Sequence, residues 1–142
     1  MAYESDLIPC SIVLAPGWTA EEVPEADGEH PYLAIRPRTR DARLRLTTFE
    51  PASTGIDAAA WVELAASVHP PKGRPLVPVR CGDFSGYLTQ FETGDGRWLR
   101  GWVLHAGPIP LDATYPCALS DAGRDDAAVG AMLATLHLTR QH

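Results

Sequence analysis

The chain has 142 residues, 45% apolar and 21% charged, with a formal net charge of −6. That size fits one domain spanning residues 1–142, able to bury roughly 68–70% of its unfolded surface. The acidic balance argues against nucleic-acid binding, and no apolar run nears the ~18 residues of a membrane span. The acidic start, Met1-Ala-Tyr-Glu-Ser-Asp-Leu, lacks the basic region of a signal peptide, so a cytoplasmic location is expected.

Ile8–Leu14 reads as a first strand, closed by the turn-favouring pair Pro16-Gly17. Trp18 carries too much apolar surface to be left in water and is expected to pack back on the sheet. Thr19–His30 is polar and acidic, with Pro24 and Gly28, and reads as a loop. Tyr32–Arg36 and Ala42–Phe49 follow as strands. In the second, Leu44 and Leu46 alternate with Arg43 and Arg45, giving one core face and one wet face.

Thr54-Gly-Ile-Asp57 has the form of a capping box, and Trp61, Leu64, Ala65 and Val68 follow at helical spacing. His69-Pro70-Pro71 stops this helix, because a residue before proline is pushed out of the α region. Leu76–Phe84 is a strand whose Pro78 assigns it to an edge or a bulge. Gly86–Glu92 and Arg97–Ala106 then flank Gly94-Asp95-Gly96, a hairpin signature. The second arm is apolar on both faces, which argues a mid-sheet strand covered above and below. Pro108-Ile-Pro110 makes a bend, Asp112–Leu119 is a last strand, and Ser120–Asp126 is a polar turn. Val129, Met132, Leu133 and Leu136 give a second helical stripe.

Three strands, a helix, four strands and a helix specify an α+β domain. Its mainly antiparallel sheet of about six to seven strands carries two amphipathic helices. Leu14-Ala-Pro-Gly-Trp18 after a first strand, Gly86-Tyr87 with Gly94-Asp-Gly96, and Tyr115-Pro-Cys117 before a helix ending Leu133-Ala-Thr-Leu136 resemble the PsbP-like fold family. That family includes the photosystem extrinsic subunit, the Ran-binding Mog protein and many small bacterial proteins. The resemblance spans Ile8–Leu138 and implies an α/β/α sandwich around an antiparallel sheet. It carries over no catalytic residue.

Signatures of chemistry are absent from the sequence: no G-x-S-x-G, Walker loop, H-E-x-x-H or G-x-G-x-x-G. Catalytic, cofactor and metal residues are therefore none, and the chain is read as a non-enzyme. Cys10, Cys81 and Cys117 are widely spaced and odd in number, so buried thiols are expected rather than disulfides. Asp125-Asp126 reads as an acidic start to the last helix, favoured by the macrodipole.

Two stretches stand out as interaction surfaces. Arg36-Pro-Arg38-Thr-Arg40-Asp-Ala-Arg43-Leu-Arg45 holds five of the twelve basic residues, either a lure for an anionic partner or a wet face opposite the acidic loop Glu21–Glu29. Trp98, Arg100 and Trp102 share one strand face, either as interface anchors or as a buried row whose arginine pairs with a carboxylate such as Glu92. The expected function is binding of a protein partner or of a second copy, with no nucleic acid, membrane or cofactor involved. The alternative is a small-molecule binder or hydrolase with a pocket built from distant residues, His105, Asp83 and Tyr115 being its candidates. An accessory role in secretion or toxin immunity is a third, more distant reading.

Overall fold

The computed structural model describes residues 2–24, 31–48, 57–68 and 76–139. The chain runs β1 (Ala2–Glu4), β2 (Cys10–Val13), β3 (Trp18–Val23), β4 (Tyr32–Pro37), β5 (Leu44–Thr47) and α1 (Ala58–Val68). It continues β6 (Leu76–Cys81), β7 (Phe84–Glu92), β8 (Arg97–Ala106), β9 (Ile109–Ala118), α2 (Asp126–Leu133) and β10 (His137–Leu138). Seven strands form one antiparallel sheet in the order β3-β4-β5-β9-β8-β7-β6, and β1-β2-β10 form a small second sheet. Helix α1 lies over β7, β8 and β9 on one face. The other face is covered by α2 together with the small sheet, so the fold is α+β with a helix on each side.

The hairpins follow from their turn residues. Thr93 N–H donates to Arg97 O at 2.8 Å around Gly94-Asp95-Gly96, and Gly96 takes φ 78°, the left-handed position of a three-residue loop. Between β6 and β7 the corner is Gly82-Asp83, with Gly82 at φ 62°, the first position of a two-residue turn. Counting back from the closing pair Cys81↔Phe84, Pro78 falls where its nitrogen faces away from β7. Proline at that place costs no ladder bond and blunts the edge that β6 presents.

The core lies between the large sheet and its α2 side. Leu33, Ile35, Leu44, Leu46, Leu104 and Ala113 point into it from the sheet, met by Ile8, Cys10 and Ile12 and by Val129, Met132, Leu133 and Leu136. Trp18 is buried in it, as its apolar area requires. All three cysteines are buried and free. The predicted second stripe is therefore a true packing face, although the helix itself stops at Leu133.

Several sequence expectations change. Leu76–Phe84 was expected to be one strand, yet the chain turns at Gly82-Asp83, where Gly82 takes φ 62°, and Phe84 opens the next strand. Thr19–His30 was expected to be a loop, yet Trp18–Val23 is an edge strand of the large sheet. Its Glu22 faces inward because Ser5 Oγ, Asp6 N–H and Leu7 N–H all donate to Oε1, which lets an acidic residue occupy a half-buried strand position. In α1 the buried line is Ala58, Val62, Ala65 and Ala66, while Leu64 is 51% exposed. The helix is rotated from the predicted stripe so that small residues meet the sheet. Asp57 caps α1 itself, its Oδ1 accepting Ala60 N–H at 2.7 Å; Thr54 and the His69-Pro70-Pro71 stop lie outside the described residues.

Candidate functional site

Strand β8 decides what each sheet face holds. Trp98, Arg100, Trp102 and Leu104 share the core face, whereas Arg97, Leu99, Gly101, Val103 and His105 face the α1 side. The row Trp98-Arg100-Trp102 is thus turned inward and is no surface anchor. Arg100 is 8% exposed, with its guanidinium carbon 4.7 Å from the centre of the Trp102 ring. Its Nη1 lies 3.3 Å from Asp126 Oδ1 at the start of α2, so the carboxylate comes from the covering helix and not from Glu92.

The arginine run is divided among several tasks. Arg36 pairs with Glu21 across the β3–β4 ladder at 2.5 Å, and Arg38 is exposed on the turn after β4. Arg40 leaves the group and grips Asp125 through both guanidinium nitrogens. Asp125 also accepts the hydroxyl of buried Tyr115. The Arg40 guanidinium holds the Asp125 carboxyl below its ordinary value despite burial, with Tyr115 adding to the effect. Burial, and then this hydrogen bond, push Tyr115 up.

Arg43 and Arg45 lie on the α1 side of the sheet, where Tyr32 organises both. Arg43 Nη1 donates to Tyr32 Oη at 3.0 Å, and the Arg45 guanidinium sits 4.0 Å above the Tyr32 ring. These two arginines, with Arg97 and Asp41, line a concavity of about 210 Å³ floored by Pro116.

Beside it, between α1 and β7–β9, is a narrow apolar cleft of about 110 Å³. Its roof is Ala65 and Ala66, and its floor is Leu99, Gly101 and Val103, flanked by Tyr87, Thr89 and Phe91. The space exists because two alanines face a glycine; a Cβ on Gly101 would meet only Thr89 Cγ2, at 3.7 Å. Among the described residues, one polar group here lacks a partner: Thr89 Oγ1 is buried and makes no hydrogen bond to any of them. Buried hydroxyls are normally satisfied, so this one is a ready donor to something placed in the cleft. The cleft and the basic concavity adjoin, since Leu99 pairs with Pro116 and Arg45 pairs with Thr114, a cleft residue.

The catalytic candidates do not assemble. His105 Nδ1 rests 3.2 Å from Gly107 O at a hairpin corner. Asp83 sits at the β6–β7 corner, where its Oδ2 accepts Leu138 N–H at 2.9 Å and contacts His137 Nδ1 at 2.8 Å, tying down β10. Tyr115 belongs to the Arg40–Asp125 junction in the core. Each has a structural task, and no hydrogen bond joins any two of them among the described residues. Burial raises all three thiols, Cys10 to about 12 and Cys81 to about 11, which disfavours the thiolate at neutral pH. No helix among the described residues is long and apolar enough to cross a membrane.

No protein-family model and no curated protein matches the chain. Thirteen solved chains do match. Among them is the crystal structure of LpqN, involved in cell envelope biogenesis of Mycobacterium tuberculosis, at TM-score 0.56 and 11% identity, over 92% of this chain and 83% of that one. The likeness shows the fold alone.

Sequence reading missed Arg97, Thr89 and Gly101, the residues that give the α1-side site its shape. Arg97 stood apart from the arginine run, and Gly101 looked like one small residue in a strand. Only the pairing of β8 with β9 and β7 brings them into one place.

Proposed function

We propose that this chain is a non-enzymatic binding module of PsbP-like architecture that takes a small apolar molecule in the cleft beneath α1. The observation that carries this reading is the cleft itself: Ala65 and Ala66 opposite Gly101 hold open an apolar space of about 110 Å³ with the unpartnered Thr89 hydroxyl on its wall. Ligand sites combine an apolar lining with few polar groups that fix orientation, and this cleft has that make-up. The separate structural tasks of His105, Asp83 and Tyr115 support a binding role over hydrolysis.

The test uses N-phenylnaphthylamine, a neutral dye that fluoresces when it leaves water. The dye should brighten with the wild-type protein and stay dark with Gly101→Val, whose Cβ would meet only Thr89 Cγ2 at 3.7 Å and whose methyl groups would project into the cleft. Equal brightening with both proteins, each shown folded by its melting curve, would refute the cleft as the site.

A protein partner or a second copy is the second reading, favoured by exposed apolar side chains: Leu64 outside α1, and Leu76 and Val77 on the edge strand β6. Arg36 and Arg38 would add basic contacts at the opposite edge. Sedimentation of wild type against Leu64→Glu with Val77→Glu tests self-association; one shared monomeric mass would dismiss it. A cytoplasmic location is supported by three free thiols, and LpqN's involvement in cell envelope biogenesis supports the envelope instead. Fractionation of cells producing the native chain distinguishes the two.

A further inference from the structure

We propose that the group entering the cleft is one neutral aromatic ring carrying a hydrogen-bond acceptor, an aryl ketone or aryl ester, seated between Tyr87 and Phe91 over the cross-strand pair Thr89↔Gly101. The proposal rests on the cleft reading above and adds the chemistry of what the cleft holds.

Three observations lead to it. The first is the shape of the floor. Tyr87, Thr89 and Phe91 share one face of β7 and stand opposite Val103, Gly101 and Leu99 on β8, all of them lining the cleft. The central pair, Thr89↔Gly101, is the low point, with Ala65 and Ala66 above it. Tyr87 and Phe91 are four residues apart, about 13 Å along the strand, so a ring over Thr89 would lie roughly 6.5 Å from each. Aromatic rings attract one another at centroid separations of about 4.5–7 Å, edge-to-face or offset. One ring fills this gap, and a longer molecule would leave its remainder at the mouth.

The second is charge balance. Arg43, Arg45 and Arg97 line the neighbouring concavity together with Asp41. Asp112 lines the cleft itself, Asp95 interacts with Arg97, and Arg45 is engaged with Tyr32. Three guanidiniums thus stand against three carboxylates. Glu63 on α1 adds another negative charge, accepting from Tyr87 Oη at 2.9 Å. Among the described residues no positive excess awaits an anion. A cation fares no better: Glu63 and Asp112 already have partners, so it would shed its water without gaining a counter-ion of its own. A neutral ligand meets neither cost.

The third is the hydroxyl. Thr89 Oγ1 is buried and makes no hydrogen bond to any described residue. A donor already shut off from water has no hydration to lose when an acceptor arrives. Cγ2 is the Thr89 atom that a Cβ on Gly101 would meet, at 3.7 Å, and one χ1 step brings Oγ1 to that place without giving up a hydrogen bond. A carbonyl on the ring then finds its donor at the centre of the floor.

Calorimetric titration of the full chain with acetophenone, ethylbenzene, cyclohexyl methyl ketone and benzoate tests the proposal. Acetophenone should bind at least ~3-fold more tightly than cyclohexyl methyl ketone, and benzoate should not bind. Thr89→Val should weaken acetophenone ~5-fold or more and leave ethylbenzene no weaker, while Thr89→Ser should keep acetophenone near the wild-type affinity. Gly101→Val should remove acetophenone and ethylbenzene alike, with melting curves showing each variant folded.

Acetophenone unmoved by Thr89→Val, or matched by benzoate or by cyclohexyl methyl ketone, would overturn the proposal. The cleft reading would survive it, provided that ethylbenzene binds and is lost in Gly101→Val. Equal weakening of acetophenone and ethylbenzene by Thr89→Val would also overturn it, because the threonine would then act through shape and not through its hydroxyl. No response to either aromatic ligand, or ethylbenzene binding retained in Gly101→Val, would overturn both readings.

Discussion

Arg40 closes on Asp125 with two nitrogens facing two oxygens, although 85 positions separate them. The bridge fastens the turn between β4 and β5 to the residue that precedes α2. Asp125 is 5% exposed and has no capping bond to its own helix, so its carboxylate is committed to Arg40 and to Tyr115.

Because Arg40 and Tyr115 hold the Asp125 carboxyl below its ordinary value of 3.8, the folded protein binds that proton less readily than the unfolded chain. Unfolding then takes up a proton at low pH. The stabilisation is complete above the ordinary carboxyl range and is lost as pH falls through the depressed folded value. Denaturant melts between pH 7 and pH 2 should show an acid limb that flattens in Asp125→Asn. At pH 7, Asp125→Ala should cost about 2–3 kcal/mol, since it strands a partly buried guanidinium and a buried phenol.

Two glycines are required by close backbone approach. A Cβ on Gly86 would lie 1.9 Å from Val103 O, and one on Gly82 would lie 1.9 Å from Leu136 O, at φ +62°. Gly86→Ala should force β7 away from β8, and Gly82→Ala should displace the segment leading into β10. Each should lower stability by about 2 kcal/mol or more in urea melts, whereas Gly101→Ala should be nearly silent.

Thr89→Val exchanges an unsatisfied buried hydroxyl for a methyl group of the same shape. Stability should rise by about 1 kcal/mol, because the stranded donor no longer has to be kept from water. Under the cleft reading, the same variant should bind hydrogen-bonding ligands less tightly than wild type. A drop in melting temperature would show that the hydroxyl already has a partner.

Cys10 and Cys81, raised by burial to about 12 and about 11, should resist Ellman's reagent at pH 8 in the native protein. Cys117, raised in the same direction and also buried, should resist as well. All three should react within minutes in guanidinium chloride. Rapid labelling of one thiol in the native state would mark a local opening of the element that carries it.

Much of the fold was legible because local signals pointed the same way. Gly94-Asp95-Gly96 between two β-rich arms, Leu44 and Leu46 alternating with arginines, and the Val129–Leu136 stripe each state a backbone period and a side to bury. Strand β3 escaped notice because Glu21-Glu22 spoils the apolar alternation. Its inward carboxylate is satisfied only by the loop at Ser5–Leu7, which sequence distance conceals. The α1 stripe was misjudged for a similar reason: Leu64 fits the period, but the sheet surface accepts alanines there.

By itself, then, the sequence determined the α+β class, the hairpin corner at Gly94-Asp95-Gly96, the placing of Pro78 at an edge or a bulge and the burial of three thiols, which follow from backbone sterics, periodicity and burial preference. The tertiary structure alone decided which face of β8 meets the core. Period two groups Trp98, Arg100 and Trp102 together, yet with both faces apolar it does not say which one meets α2 and the core and which one meets α1. That choice sent Arg100 inward to Asp126 and left Arg97, Gly101 and Thr89 to shape the cleft and basin on the other side. Side-chain alternation is a local property, and coverage is a property of distant elements meeting.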